Sequence, residues 1–230
     1  MKKKFVPYIL YGYPNIKKSL EKALEYKDVA DIYEIGFPFS DPIADGNVIQ
    51  NASSIALKNE INFSEYIEFI KVLKQKTGKL VFSMTYLNPI LKFGIAKFIK
   101  SSIDGFIIPD LIVDESKEIL KLAKKYNKQS VFIVTPDTTD LRLKKIGKCT
   151  TGFIYYVTYS GVTGGNTSLN PKVLNRIKKI KRITNKKVFV GFGIKTKSDI
   201  KTVYKYADGA IVGSAILNNT FSPKFLEGLK

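Results

Sequence analysis

Residues Tyr33–Ala52 read YEIGFPFSDPIADGNVIQNA, the end of an apolar run followed at once by a turn-rich loop and a helical segment. The apolar run, ADIYEIG at Ala30–Gly36, has the length and the β-branched and aromatic content of a buried strand. The loop is rich in Pro, Gly, Ser and Asp, which form turns. Strand, loop and helix in this order form the repeating unit of a parallel sheet covered by helices.

Two carboxylates make this segment a candidate active site. Glu34 lies among apolar residues at the end of the strand, where burial disfavours its charged form and raises its pKa. A raised pKa produces a general acid or base that works near neutral pH. The loop can fold Asp45 back over the strand end, although Asp-Gly is also an ordinary turn and Asp41 is best explained as a turn residue. Carboxylates in different surroundings can take different proton-transfer roles.

The same alternation of short β-like runs and helix-period segments continues through the whole chain. It predicts eight strands and about as many helices, which suits a closed barrel better than an open doubly wound sheet. The predicted strands are Phe5–Leu10, Ala30–Gly36, Leu80–Thr85, Gly105–Pro109, Ser130–Thr135, Gly152–Val157, Lys187–Gly191 and Gly209–Val212. The predicted helices are Ile16–Tyr26, Val48–Leu57, Phe63–Thr77, Gly94–Ser101, Asp114–Tyr126, Asp140–Gly147, Pro171–Thr184 and Lys197–Tyr206.

Length and composition limit the possibilities further. The 230 residues contain no linker or composition shift, so residues 1–230 are predicted to form one compact α/β domain, a (β/α)8 TIM barrel. The chain has no His and one Cys, Cys149, which excludes Ser–His–Asp and Cys–His catalysis and Cys-rich zinc sites. Proton chemistry is left to Glu, Asp, Tyr and Lys.

The localisation expected from the sequence is cytoplasmic. The start MKKKFVPYIL has too short an apolar part for a usual signal peptide, and no apolar run approaches the roughly 18 residues that span a bilayer. The net charge of +18 raises the alternative of nucleic-acid binding, but no reading motif or aromatic stacking platform accompanies it. The densest basic stretch, Lys172–Lys187, has the pattern of a solvated outer helix.

Glycine-rich loops follow the last three predicted strands, at Ser160–Gly165, Gly191–Ile194 and Val212–Ala215. Glycine exposes backbone N–H groups without an obstructing Cβ, so such loops can hold an anion. In this barrel fold the loops after strands seven and eight are a frequent phosphate site. The sequence therefore predicts a phosphorylated substrate.

Several motifs now identify a resemblance that covers nearly the whole chain. The segments PFSDPIADG with IQNA, FVPYILYGYP, PDL, GFIYYVTYSGVTG, VGFGI and VGSAI resemble, in order and spacing, those of the tryptophan synthase α subunit family. The long SDPIADG segment is the specific one, because other phosphate-binding barrels share only the glycine elements. A phosphosugar isomerase of the same fold, the nearest chemical rival, would lack it.

The resemblance implies a retro-aldol cleavage of indole-3-glycerol phosphate to indole and glyceraldehyde 3-phosphate, without a metal or cofactor in this chain. By position, Glu34 would shuttle protons and Asp45 would pair with the indole N–H. The resemblance also implies an α2β2 complex in which a β subunit carries pyridoxal phosphate. The other implied site residues are Tyr8, Tyr86, Val134, Tyr155 and Thr163 for the substrate, and Gly164, Gly193, Gly213 and Ser214 for its phosphate.

The chain also departs from the family pattern. It begins almost directly at the first strand, where many members carry an extra helix, and its C-terminal region is short. Tyr159 stands where many members have a basic residue, and Asn47 where a proline is common. These differences concern loop closure and its coupling to the partner. They leave open an alternative in which the barrel is catalytically weak and serves mainly as an allosteric partner of the β subunit.

Overall fold

The structure, a computed structural model, describes residues 2–157, 171–191 and 193–229. Within them eight parallel strands close into a barrel in chain order, and β1 pairs with both β2 and β8. The predicted (β/α)8 TIM barrel is therefore confirmed. The strands are β1 (Lys4–Leu10), β2 (Ile32–Gly36), β3 (Leu80–Met84), β4 (Gly105–Ile107), β5 (Gln129–Val134), β6 (Ile154–Val157), β7 (Val188–Gly191) and β8 (Gly209–Val212).

Helices surround the barrel, and three of them have the predicted bounds. The sequence analysis did not predict α4, a seven-residue helix directly after β3 whose first N–H is capped by a residue of another loop. The helices of the described residues are α1 (Ile16–Glu25), α2 (Asn47–Leu57), α3 (Phe63–Thr77), α4 (Leu87–Phe93), α5 (Ile95–Lys100), α6 (Lys117–Lys125), α7 (Asp140–Cys149), α8 (Pro171–Thr184), α9 (Lys197–Tyr206) and α10 (Ser214–Leu217).

Local sequence explains four of the helix starts in the described residues. Asn15, Asn62 and Thr139 each accept a backbone N–H in the first turn of the following helix, which satisfies a donor that has no partner inside the helix. Thr196 and Asp199 form a capping box at α9. The helix predicted from Asp114 begins instead at Lys117, because residues 112–116 form a tight turn closed by backbone and serine hydrogen bonds.

Side chains along each strand alternate between two layers. Those pointing outward pack under the helices, whereas those pointing inward fill the barrel, because successive side chains of a strand face opposite sides. Strand β2 shows the division clearly. Tyr33 points outward and donates its hydroxyl hydrogen bond to the Ala23 carbonyl of α1, and Glu34 points inward, opposite Tyr8 of β1 and Phe82 of β3.

Aromatic rings close the barrel below the inward-pointing Glu34. Phe153 stacks on Phe189 with ring centroids 4.0 Å apart and on Phe82 at 5.8 Å. Glycines on neighbouring strands leave room for these rings, since a Cβ at Gly105 or Gly209 would lie 2.7 Å from the ring of Phe82 or Phe189. The interior at this level is thus a packed apolar plug, and in this fold ligands bind at the carboxyl ends of the strands, where Glu34 lies.

The N-terminal ends of alternate strands are tied together in a repeated way. An aspartate that precedes β2, β4 or β8 accepts the backbone N–H of the first or second residue of the strand before it and also pairs with a lysine. These ties fix the register at the end of the barrel that is remote from Glu34. The aspartates and their lysines are Asp31 with Lys4, Asp104 with Lys74, and Asp208 with Lys181.

The remaining surface agrees with the sequence analysis. Helix α8, which contains most of the dense basic stretch, buries Ile177, Ile180 and Thr184 and is therefore an outer helix with a solvated face.

The segment after β8 packs against the start of the barrel: Phe221 stacks on Phe5 of β1, and the Phe221 carbonyl accepts a hydrogen bond from the Tyr26 hydroxyl. Among the described residues, no helix is long and apolar enough to cross a membrane.

Candidate active site

Glu34 is the most unusual polar residue of the barrel interior. Its side chain is completely buried, and among the described residues neither carboxyl oxygen has a hydrogen-bond partner. Burial raises the pKa of Glu34 to about 8, with a further contribution from the negative charge of Asp45. At neutral pH Glu34 is therefore mainly a neutral acid that can donate its proton, and it can later accept one.

Asp45 lies in the loop after β2, in a turn that its own backbone closes by donating an N–H to the Pro42 carbonyl at 3.0 Å. One carboxylate oxygen accepts a hydrogen bond from the Tyr86 hydroxyl at 3.1 Å. Burial raises the pKa of Asp45 to about 6, while the bond from Tyr86 acts in the opposite direction. Asp45 is therefore mainly ionised at neutral pH, in contrast to Glu34.

Tyr86 connects this loop to the neighbouring strand. It follows β3, and besides donating to Asp45 its hydroxyl accepts the Ala44 backbone N–H at 3.0 Å. Its ring stacks on Phe39 with centroids 4.9 Å apart and an interplanar angle of 23°. One phenol thus holds both the backbone and the carboxylate of the Asp45 loop, a role that the sequence analysis did not predict.

Tyr8 and Tyr155 enclose the carboxylates from other strands. Both rings are buried, and burial together with the charges of Glu34 and Asp45 raises the pKa of both phenols well above the usual range. They therefore remain neutral. Each lies across a strand-end glycine, because a Cβ at Gly36 would lie 2.7 Å from Tyr8 Cζ and one at Gly191 would lie 2.8 Å from Tyr155 Cζ.

Val134 is not brought together with these residues. It is completely buried in the outward layer beneath the helices, with Tyr156 and Val190, because it has the outward parity of β5. Its neighbour Ile133 belongs to the inward layer, as does Ile107 of β4. These two residues, which the sequence analysis missed, occupy the inner apolar positions; strict alternation along β4 and β5 was the pattern that could have identified them.

The predicted phosphate loops are described only in part. Gly193 follows β7 with φ of +74°, a conformation that favours glycine, and Gly213 lies between β8 and Ser214, which begins α10. Gly213 borders Tyr8, since an added Cβ would lie 3.3 Å from that ring. The loop after β8 therefore lies beside Tyr8. Thr163 and Gly164 of the predicted site, together with Tyr159, fall outside the described residues.

Two other features have structural explanations. Asp110 accepts the Leu87 backbone N–H at 2.9 Å and so caps α4. Within the described ranges, no group of three or more His, Cys, Asp or Glu residues could hold a metal ion. The chemically distinctive groups of this site are two carboxylates in opposite protonation states within an aromatic enclosure.

Comparisons with known proteins agree on one family. The family model "Tryptophan synthase alpha chain" matches residues 1–223. A tryptophan synthase alpha chain from Aquifex aeolicus is 38% identical over 222 residues, covering 94% of this chain and 85% of the relative. The corresponding protein of Methanocaldococcus jannaschii is 40% identical, with 94% and 78% covered.

Solved structures give the same result. A chain of the tryptophan synthase α2β2 complex from Pyrococcus furiosus superposes with a TM-score of 0.89 at 34% identity, covering 100% of this chain and 96% of that one. A tryptophan synthase structure from Mycobacterium tuberculosis gives 0.88 at 29% identity, with 99% and 90% covered. The similarity therefore extends over the whole barrel and is not confined to the glycine-rich loops.

Proposed function

Because this chain belongs to the tryptophan synthase alpha chain family, we propose that it cleaves indole-3-glycerol phosphate to indole and glyceraldehyde 3-phosphate. A lyase-type activity follows from the family, and the particular reaction is the proposal. One observation carries it: Glu34, a buried acid with no hydrogen-bond partner among the described residues, lies under the electrostatic influence of the ionised Asp45. A retro-aldol cleavage needs one group that exchanges protons and one negative charge that stays in place.

The proposed reaction begins with the proton of Glu34. Protonation of indole C3 by Glu34 places a positive charge on the indole nitrogen, which is stabilised because that N–H faces the carboxylate of Asp45. Glu34, now a carboxylate, removes the proton from the glycerol hydroxyl next to C3. The oxygen electrons form the aldehyde, and the electrons of the breaking carbon–carbon bond return to the ring. Glu34 recovers its proton, so no other reactant is needed.

The other residues of the site bind and orient the substrate in this proposal. Tyr8 and Tyr155 offer buried aromatic surfaces for the indole. Because their pKa values are raised, both phenols keep their protons and do not replace Glu34 as the acid. Backbone N–H groups near Gly164, Gly193 and Gly213, with the Ser214 hydroxyl, would hold the phosphate. When the phosphate is held in place, the reacting carbon is kept at a fixed distance from Glu34. This positioning supplies much of the rate advantage of a bound substrate.

We further propose that a β subunit docks on the carboxyl end of the barrel and receives the indole, with pyridoxal phosphate bound in that subunit. The comparison with an α2β2 complex supports this assembly. Exposed apolar side chains on segments that follow β2 to β5 offer a surface for it, because such groups gain free energy when a partner covers them. They are Ile43, Leu91, Ile112 and Leu141, exposed by 83, 52, 44 and 76%.

The test is indole release from indole-3-glycerol phosphate, followed by chromatography, with and without added β subunit. We expect indole and glyceraldehyde 3-phosphate in equal amounts from the chain alone, and faster release in the complex. No indole under either condition would refute the proposed reaction. If the chain released none but still accelerated tryptophan formation by the β subunit from supplied indole, the alternative of an allosteric partner would replace it.

A further inference from the structure

Gln50 holds the turn that carries Asp45. It lies in the first turns of α2, and its side-chain Nε2 donates hydrogen bonds back to the Asp45 carbonyl at 2.8 Å and the Pro42 carbonyl at 3.4 Å. Both partners are carbonyl oxygens, which can only accept, so the NH2 end of the amide faces the turn. Pro42 also accepts the Asp45 N–H, and Gln50 therefore joins both ends of a four-residue turn.

This contact controls the direction of the Asp45 side chain. The backbone of Asp45 is held on one side by Gln50, and on the other by the bond from Ala44 N–H to the Tyr86 hydroxyl. The carboxylate leaves the chain between these two anchors and meets the same hydroxyl. If Gln50 released the turn, rotation about the Asp45 backbone would move the carboxylate without breaking any contact made by Glu34.

Helix α2 does not supply this restraint by another route. Its N-cap is Gly46, which has no side chain to bind the first turn, and Asp45 precedes the helix. A side chain at position 50 that holds the turn must reach the Asp45 carbonyl five residues earlier and must end in an N–H group. Asn is shorter by one methylene, and Glu has no hydrogen to donate in its charged form, so Gln alone among these related side chains meets both requirements.

We propose that Gln50 is a positioning residue for the reaction: its side-chain amide holds the Pro42–Asp45 turn so that the Asp45 carboxylate faces the substrate-binding space even before a partner subunit binds. The inference rests on the proposed function for its kinetic consequence. Its side-chain hydrogen bonds go to the turn and, among the described residues, none goes to Glu34 or to the substrate-binding tyrosines, so we expect its effect on the reaction to pass through Asp45.

The kinetic test uses Gln50→Met, which keeps the length of the side chain but removes both donors, and Gln50→Glu, which keeps its shape. Loss of a restraining hydrogen bond should lower kcat for indole release about tenfold and leave KM within about twofold. Ser54→Ala is the matched control, because its hydroxyl binds the Gln50 backbone carbonyl on the same helix but does not contact the turn. The control should retain the wild-type kcat.

A double-mutant cycle with Asp45→Asn separates positioning from a general structural effect. If Gln50 acts through Asp45, Gln50→Met should lower kcat less than about twofold once Asp45 has been replaced. An equal loss in both backgrounds would overturn the inference. So would an unchanged kcat in the single variants.

Amide hydrogen exchange gives a readout that does not depend on activity. The Asp45 N–H donates to the Pro42 carbonyl within the turn, and the Ala44 N–H donates to the Tyr86 hydroxyl beside it. Gln50→Met and Gln50→Glu should therefore accelerate the exchange of these two amides severalfold relative to wild type and Ser54→Ala, with α3 amides unchanged. Unaltered exchange of these two amides would contradict the proposal even if kcat fell. Failure of the wild type to release indole, with the expected exchange result, would refute the reaction and leave the restraint intact.

Discussion

The hydroxyl of Tyr86 donates a hydrogen bond to the carboxylate of Asp45 at 3.1 Å, across 41 residues of sequence. This bond brings the loop after β2 into contact with the residue that follows β3. Because Asp45 is the ionised member of the carboxylate pair, the bond stabilises the form in which Asp45 would face a developing positive charge. The relationship leads to the first prediction.

Tyr86→Phe should lower kcat for indole release about tenfold, the typical effect of losing one hydrogen bond to a charged group. The bond from Tyr86 lowers the pKa of Asp45, so its removal should raise that pKa. Asp45 would then become protonated at a higher pH, and the acidic limb of the kcat–pH profile should move upward. Steady-state rates between pH 5 and 9 would test this. Tyr206→Phe, on α9, is the control, and an acidic limb that stays in place would contradict the role of the bond.

Glu34→Gln should abolish indole release and preserve the fold, because the substitution keeps the shape of the side chain and removes its exchangeable acid proton. General acid–base catalysis typically contributes about 10²–10⁴-fold, so retention of more than about a tenth of the wild-type kcat would be incompatible with the assigned role. Glu68→Gln, the same chemical change at an exposed position of α3, should be without effect. Circular dichroism of both variants would verify that the barrel is intact.

The stability of the fold should decrease as the pH rises through the titration of Glu34. The folded-state pKa of about 8 is above the ordinary value of 4.5, so the folded protein binds this proton more tightly than the unfolded chain. The resulting stabilisation is complete below pH 4.5 and is lost between there and about pH 8. Glu34→Gln should remove a pH-dependent contribution on the order of 5 kcal/mol.

Urea unfolding of wild type and Glu34→Gln at pH 5, 7 and 9 would measure that contribution. Asp45 acts in the same direction over a narrower range, from its ordinary 3.8 to about 6, and remains in both proteins. The Asp45 contribution therefore cancels, and the difference between the two proteins should develop between about pH 4.5 and pH 8. Parallel pH dependences of the free energy of unfolding would show that the Glu34 carboxyl is not held neutral by the fold.

Gly36→Ala should destabilise the fold by about 1–3 kcal/mol, the usual cost of overpacking. The new Cβ would lie 2.7 Å from Tyr8 Cζ, so the tyrosine ring must move away from the site. In a Tyr8→Leu background the same substitution should cost less, because the ring that it displaces is gone. Equal losses of free energy of unfolding in both backgrounds would mean that the glycine is required for another reason.

Docking of a β subunit on the carboxyl end of the barrel predicts that Leu91→Asp and Ile112→Asp will weaken its stimulation of indole release. A charge at a buried apolar contact carries a desolvation cost, so more β subunit should be needed for half of the maximal effect. Leu80→Asp is the control, since Leu80 is also exposed but begins β3 at the opposite end of the barrel. A larger effect of Leu80→Asp would mean that the β subunit binds at the amino-terminal end of the strands, which would contradict the proposed docking.

The order of elements could be predicted from the sequence because it depends on local periodicity. The strand Gly209–Val212 and the helices Phe63–Thr77, Pro171–Thr184 and Lys197–Tyr206 have the predicted bounds, since hydrophobic spacing and capping residues act within a few positions. The short helix Leu87–Phe93 was missed because it is capped from a distance, by Asp110 of the next strand's loop. Where a cap comes from another element, the local pattern contains no sign of it.

The residues of the candidate site also fall into two groups, those predictable from the sequence and those whose role depends on the tertiary structure. From the amino-acid sequence alone, Glu34 could be identified as a strand-end carboxylate among apolar neighbours, and the SDPIADG segment pointed to the family. Alternation along β4 and β5 relates Val134 to Ile133, but only the tertiary structure decided which of the two layers faces the barrel and that Tyr86 and Gln50 hold Asp45. The physical reason is that burial and hydrogen bonding of these residues depend on barrel closure, which brings together groups that are far apart in the chain.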